Sequence, residues 1–129
     1  MHITGTFTVS MAPLEAYAPA SDGTAQGRMS LDKTFSGPLT ASSNGEMLTA
    51  MTPTQGSAGY VAIEKVQGTL EGKEGTFVLQ HFGMMHGNES RLILEVVPAS
   101  GTGALTGLSG KMDIRNEDGV HHYAFTYEL

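Results

Sequence analysis

The stretch Gly75-Thr-Phe-Val-Leu-Gln-His-Phe-Gly83 decides the fold, because apolar residues occupy both alternating sets of positions between two glycines. Successive side chains of a β-strand point to opposite faces of a sheet. One face of this segment carries Phe77, Leu79 and His81, and the other carries Val78, Gln80 and Phe82. Apolar side chains on both faces indicate a central strand, with one polar group near the end of each face.

Seven further segments alternate in the same way, and turns rich in glycine, proline or asparagine separate them. Eight short strands at regular spacing are typical of a barrel or a sandwich, and eight strands are enough to close a barrel around side chains or one small ligand. No window shows sustained helical periodicity. The predicted strands cover Ile3–Met11, Arg28–Gly37, Leu39–Met51, Ala58–Leu70, Gly75–Gly83, Ser90–Pro98, Lys111–Arg115 and Val120–Leu129.

Three connecting segments carry specific predictions. Met11–Thr24 contains two prolines and several alanines, and it predicts a loop with a short helical turn near Pro13–Tyr17. Ser43-Asn44-Gly45 indicates either a bulge or a turn within the third strand. Asn116-Glu-Asp-Gly119 predicts a hairpin turn before the last strand.

Composition restricts the class of protein. The 129 residues fit one domain, residues 1–129, and the net charge of −6 argues against binding to nucleic acid or to an anionic membrane. The chain has no cysteine and no apolar run long enough for a membrane span, and its first residues lack the pattern of a signal peptide. We therefore expect a cytoplasmic protein.

Several segments together resemble the bacterial family catalogued as domain of unknown function 3224. They span nearly the whole chain in order: Lys33-Thr-Phe-Ser-Gly37, Tyr60-Val-Ala-Ile-Glu64, Gly68-Thr-Leu-Glu-Gly72, Gly75–His81, Val97–Gly103 with Leu105–Gly110, and Tyr127-Glu-Leu129. The resemblance implies an all-β fold, a closed antiparallel eight-stranded barrel similar to that of allene oxide cyclase and of dirigent proteins. It implies no activity, because that family has none assigned.

Two polar residues on predicted inner faces are the candidate catalytic residues. Glu64 shares its face with Tyr60, Ala62 and Val66, and burial there raises the pKa of a carboxyl group unless a partner offsets it, which suits a general base. His81 follows Phe77 and Leu79 and could exchange hydrogen bonds with a ligand. The alternatives are a solvent-facing Glu64 and a structural His81.

The predicted ligand-binding residues share the same inner faces. Lys33 lies among apolar residues, so it needs an acidic partner, for which Glu64 is the candidate, or a route to water. The other members of this set are Phe35, Tyr60, Phe77, Leu79, Phe125 and Tyr127, with Phe7 as a further lining residue.

Metal and cofactor binding have little support. His121, His81 and Glu64 could form a two-histidine, one-carboxylate site, but no His-x-His or His-Glu-x-x-His pair exists. No dinucleotide fingerprint or nucleophile elbow is present, so we predict neither metal nor cofactor.

Three functions remain open. The first is a barrel that binds a small, partly apolar ligand, the second a cofactor-free isomerase or cyclase by analogy with allene oxide cyclase, and the third an interaction module with a filled interior. A cavity of about 300 Å³ or more that faces Glu64 would favour the first two. Outward apolar residues such as Val61, Ile63, Val78 and Phe82 predict a homo-oligomer.

Overall fold

The computed structural model describes residues 1–18 and 23–129. Its strands follow chain order around a closed antiparallel barrel, which β8 completes by pairing with β1. This confirms the predicted all-β, closed eight-stranded barrel. The strands are β1 (His2–Leu14), β2 (Ala25–Ser36), β3 (Leu39–Met51), β4 (Ala58–Leu70), β5 (Lys73–His86), β6 (Glu89–Val96), β7 (Ser109–Glu117) and β8 (Val120–Glu128). The described residues include one 3-10 turn, Gly103–Leu105, and none of their helices is long and apolar enough to cross a membrane.

The two ends of the barrel differ in how they are filled. The closed end, where β2–β3, β4–β5 and β6–β7 connect, is packed with aromatic rings and is capped by the buried side chains of Leu105 and Leu108. Phe125 stacks on Phe77 with ring centres 6.0 Å apart and on Tyr127 at 5.3 Å. The open end, where β1–β2, β3–β4, β5–β6 and β7–β8 connect, leaves space between side chains.

Two of the hairpins have two-residue turns with left-handed backbone at both central positions. Glu71 and Gly72 have φ of 48° and 83°, and Asp118 and Gly119 have φ of 52° and 79°. Such turns match the right-handed twist of the strands they join. The predicted hairpin before β8 is therefore confirmed, with a tighter turn that lengthens β7 to Glu117.

The prediction for the segment after Met11 was wrong for the residues that are described. β1 continues to Leu14, where it pairs with Arg28 of β2, and residues 15–18 form no helical turn. Pro13 is tolerated because β1 pairs with β8 only from His2 to Phe7, so its other edge is free there and needs no backbone N–H. Part of the predicted loop, residues 19–22, lies outside the described residues.

The predicted bulge or turn at Ser43-Asn44-Gly45 was also wrong. Strand β3 runs through this segment with unbroken register, and Gly45 lies opposite both Leu31 of β2 and Glu64 of β4. A Cβ atom at Gly45 would lie 2.0 Å from the Ile63 carbonyl oxygen. The glycine is thus needed for close approach of β4 rather than for a change of direction.

Tyr123 fixes the turn between β2 and β3. Its buried hydroxyl accepts a hydrogen bond from the Leu39 N–H at 3.1 Å and donates to the Ser36 carbonyl at 3.0 Å. We expect Tyr123→Phe to lower the free energy of unfolding by about 1–3 kcal/mol, because it leaves a buried N–H without an acceptor. Urea unfolding measures this loss. The fully exposed Tyr17 provides the control, and an equal loss in Tyr17→Phe would contradict the assignment.

Candidate functional site

Glu64 lies at the centre of a buried polar cluster that joins four neighbouring strands. Its side chain has no exposed surface, although it is charged. Oε1 accepts a hydrogen bond from Ser43 Oγ of β3 at 3.0 Å, and Oε2 lies 2.7 Å from His81 Nε2 of β5. Lys33 Nζ of β2 lies 2.9 Å from the same Oε2. The predicted pairing of Lys33 with Glu64 is therefore present in the structure.

Small residues on β3 make room for this carboxylate. Ser43 and Gly45 occupy inward positions beside Glu64. A side chain at Gly45 would collide with the backbone and Cβ of Glu64 at 2.6 Å and 2.9 Å. The same glycine that the sequence suggested as a bulge thus creates the space for the cluster.

The pKa of the Glu64 carboxyl lies below its ordinary value. Burial alone raises it, as predicted for an unpaired carboxyl, but the hydrogen bond from His81 and the charges of Lys33 and His81 outweigh that effect. Glu64 is therefore an ionised anchor at neutral pH. A carboxylate that acts as a general base needs a pKa near the working pH, whereas this site lowers the pKa of Glu64.

Lys33 has spare hydrogen-bonding capacity. Only 5% of the residue is exposed, and its ammonium group lies 4.9 Å from the ring centre of Phe7 and 5.8 Å from that of Phe35. The ion pair with Glu64 can satisfy at most one of the three N–H donors of an ammonium group, and Nζ has no further acceptor among the described residues. Buried donors without acceptors are rare, and each requires an explanation.

Tyr60 extends the cluster towards the open end. Its hydroxyl lies 3.1 Å from Nδ1 of His81, whose Nε2 contacts Glu64. When the imidazole is neutral, Tyr60 donates to His81 and His81 donates to Glu64. When it is protonated and adds its charge to the field at Glu64, both ring nitrogens donate and Tyr60 accepts, so a continuous hydrogen-bonded chain forms in either state. Burial, followed by the negative charge of Glu64, raises the pKa of Tyr60. Its hydroxyl therefore keeps its proton at neutral pH.

A pocket of about 150 Å³ opens above this cluster at the open end. Three polar side chains form one part of its wall, and apolar side chains and His121 form the rest. Its lining residues are Phe7, Val9, Met11, Leu31, Lys33, Met47, Tyr60, His81, Ile114 and His121. The volume of the pocket is half of the expected value of about 300 Å³. Glu64 lies beneath the pocket and is not one of its lining residues.

The structure divides the predicted ligand-binding set. Lys33 and Tyr60 line the pocket, together with His81 and the additional lining residue Phe7. The remaining members point inwards as predicted, but they belong to the packed core and do not line the pocket: Phe35, Phe77, Leu79, Phe125 and Tyr127. For this group the structure gives a packing role, and contact with a ligand stays a prediction.

Sequence reasoning missed several members of the site. Ser43 was assigned to an interruption, and the pocket residues Val9, Met11, Met47 and Ile114 were assigned to strands but to no site. These residues share every second position of their strands with other inward residues, and this pattern identifies the inner face. The pattern does not show which of the inward residues lie at the open end. His121 lines the pocket and stacks on Phe7, with ring centres 5.1 Å apart. The described residues contain no group of three His, Cys, Asp or Glu side chains placed to hold a metal ion.

Fold and site together define a small β-barrel with a buried ionic cluster beneath a pocket at its open end. The chain belongs to the DUF3224 family, proteins of unknown function, whose family model matches residues 3–127. It is also similar to the crystal structure of a DUF3224 protein of unknown function from Shewanella oneidensis MR-1. The two chains are 56% identical, with a TM-score of 0.97 over 100% of this chain and 97% of that one. A comparison with curated proteins gave no match.

The lowered pKa of Glu64 predicts a specific loss of stability in acid. Between its ordinary pKa of 4.5 and its lower folded value, the unfolded chain binds more protons, so stability falls as the pH falls through this window. Above pH 4.5 the contribution is complete. We expect Glu64→Gln to lack this acid-dependent loss, and to be less stable at neutral pH by about 3–5 kcal/mol because Lys33 loses its counter-charge.

Urea unfolding of both proteins between pH 3 and pH 7 measures this difference, with pH values chosen to bracket the ordinary carboxyl pKa of about 4. Glu89→Gln, at an exposed carboxylate, is the control and should retain the wild-type acid dependence. An unchanged acid dependence in Glu64→Gln would contradict an ionised Glu64 in the folded state.

Proposed function

We propose that this protein binds a small, partly apolar molecule in the pocket at its open end, with an oxygen of the ligand accepting a hydrogen bond from Lys33. The observation that carries the proposal is the buried Lys33 side chain, which lines the pocket and whose ammonium group has no acceptor other than Glu64 among the described residues. A ligand oxygen in the pocket would satisfy it, because a buried cation needs hydrogen-bonding partners as well as a counter-charge.

The distribution of polarity supports a ligand with one polar end. Lys33, Tyr60 and His81 lie together above Glu64, and the other walls are mostly aliphatic or aromatic. A few convergent polar groups in an apolar pocket are typical of small-molecule sites, where they fix the orientation of the ligand. The polar end therefore carries a carbonyl or carboxylate oxygen, since Lys33 can only donate.

The volume restricts the size of the ligand. About 150 Å³ equals the share of roughly five water molecules in the liquid, at about 30 Å³ each. Pockets for drug-sized ligands begin near about 300 Å³. The proposed ligand is therefore smaller than the one that the sequence suggested, and short-chain carboxylates and ketones are the chemical classes that fit.

The second candidate function is cofactor-free acid–base catalysis, as in an isomerase or cyclase resembling allene oxide cyclase. The hydrogen-bonded chain from Tyr60 through His81 to Glu64 favours it, because such a chain can supply and recover a proton at the pocket. Tyr60 and His81 are then the groups that contact the substrate. Glu64 is a positioning residue that holds the His81 ring, since it does not reach the pocket.

Removal of the Lys33 charge tests the binding function. We expect wild-type protein to bind members of a panel of short-chain carboxylates and ketones, detected by saturation-transfer NMR. We expect Lys33→Met to raise Kd about tenfold or more, since hydrogen bonds to charged groups contribute about 1.5–3 kcal/mol. Lys65→Met, at an exposed position on the outer face of β4, should bind as the wild type does.

A second variant keeps this test valid if Lys33→Met does not fold. Val9→Phe reduces the volume of the pocket and changes no residue of the ionic cluster, so it should also abolish binding. Binding that survives Val9→Phe would place the ligand elsewhere. Absence of binding across the panel would overturn the proposed class of ligand.

Exchange of ligand protons with solvent separates catalysis from binding. For a bound ketone, we expect deuterium incorporation next to the carbonyl, followed by NMR in D₂O, to slow about 10²-fold or more in Tyr60→Phe if the chain transfers protons. Tyr17→Phe, at a fully exposed position, is the matched control. Exchange at the buffer rate in the wild type would reject the catalytic candidate and leave the binding function intact.

A further inference from the structure

An exposed row of apolar side chains crosses four neighbouring strands on the outside of the barrel. The register places Leu48 opposite Val61, Val61 opposite Phe82, and Phe82 opposite Ile93. Leu48, Val61 and Ile93 are 57%, 47% and 45% exposed. Single exposed apolar residues are ordinary, but a contiguous apolar patch on a sheet marks an interaction surface. We call these four residues the apolar row.

The two sides of the apolar row have opposite shapes. On the side of the open end, the next row contains Ala50, Gly59 and Met84. These residues line a groove of about 490 Å³ together with Leu48, Val61 and Phe82 of the row itself and with the segment Ala16, Tyr17 and Ala18. On the side of the closed end, Ile63 projects from β4 and is 49% exposed. Gly59 and Ile63 lie on the same strand, two residues from Val61 in either direction. A projection and a groove thus flank the apolar row symmetrically.

The charges beside the row are also opposite on its two sides. On β6, Arg91 lies towards the open end and Glu95 towards the closed end, each two residues from Ile93 and both exposed. The Arg91 guanidinium lies beside the row, 5.3 Å from the ring centre of Phe82. Strand β6 therefore carries a cation on the groove side of the row and an anion on the side of the projection, where Lys111 of β7 lies opposite Glu95.

We propose that a second copy of this chain covers the surface, with a two-fold axis that runs along the apolar row. Such an axis places the groove side of one copy against the projection side of the other. Each residue of the row then meets the same residue of the partner. Ile63 then enters the partner's groove beside Gly59, where the flexible side chain of Met84 must shift to admit it. Arg91 meets the partner's Glu95, and Glu95 meets the partner's Arg91. Shape and charge are complementary in this one arrangement.

An axis parallel to the strands would not give this match. It would place Arg91 of β6 against the partner's residues from β2 and β3, where Gln26 and Ala50 lie in the same row. The charges would then lose their partners, and Ile63 would meet Gln80 or Ile63 of the partner's same row instead of the groove. The complementary shapes and charges therefore favour a second copy of this chain as the partner, in the orientation with the axis along the row.

The mass in solution tests the proposal first. We expect multi-angle light scattering to give about 27 kDa, twice the 13.6 kDa mass of the chain. Val61→Glu should shift the protein to the monomer, because it buries a charge at the centre of the contact. The control is Val120→Glu, since Val120 is 45% exposed at the β7–β8 turn and lies outside this surface. A monomeric wild type, a trimer, or a dimer that Val61→Glu leaves intact would overturn the proposal.

Charge exchange tests the orientation and does not depend on the fold of Val61→Glu. Arg91→Glu and Glu95→Arg should each weaken the dimer about tenfold or more, because each brings like charges together. The double variant Arg91→Glu, Glu95→Arg restores opposite charges and should recover wild-type affinity in sedimentation equilibrium. A double variant as weak as the two single variants would overturn the two-fold axis along the row.

Discussion

The interaction on which the structure depends is the ionised carboxylate of Glu64 inside a closed barrel. An isolated buried charge is unfavourable by several kcal/mol, so the fold must bring partners to it from every side. Ser43 of β3, Lys33 of β2 and His81 of β5 supply them. Because these residues come from neighbouring strands, the cluster specifies the register of that half of the barrel as well as its electrostatics.

The cluster also explains the contrast between the two ends of the barrel. Towards the closed end, stacked aromatic rings fill the interior, and Tyr127 donates a hydrogen bond to the carboxylate of Glu71. Towards the open end, Lys33, His81 and Tyr60 form a polar surface, and apolar packing over the Lys33 ammonium group would leave its remaining donors without acceptors. A pocket in this position therefore follows from the chemistry of the cluster as well as from the shape of the barrel.

The strand that contains Gly75–Gly83 contributes to both surfaces of interest. On its inner face, Phe77 and Leu79 belong to the packed core and His81 to the site. On its outer face, Phe82 belongs to the apolar row next to Val61 and Ile93. This explains why both faces of one segment are apolar, as a strand between a core and a second covered surface requires. Tyr60 lines both the groove outside and the pocket inside.

By itself, the sequence determined most of the strands, the side chains that share a face within each strand, and the resemblance to the family, because alternation is local and turn residues such as Asp118-Gly119 act within a few positions. The structure then decided that the faces of Glu64, His81 and Lys33 point inward. Only the tertiary structure decided the size of the pocket, the position of Glu64 beneath it and the role of Gly45. These depend on distances between side chains of different strands, which no local pattern encodes. The continuation of β1 through Pro13 was decided in the same way, since it depends on where the neighbouring strand β8 stops pairing.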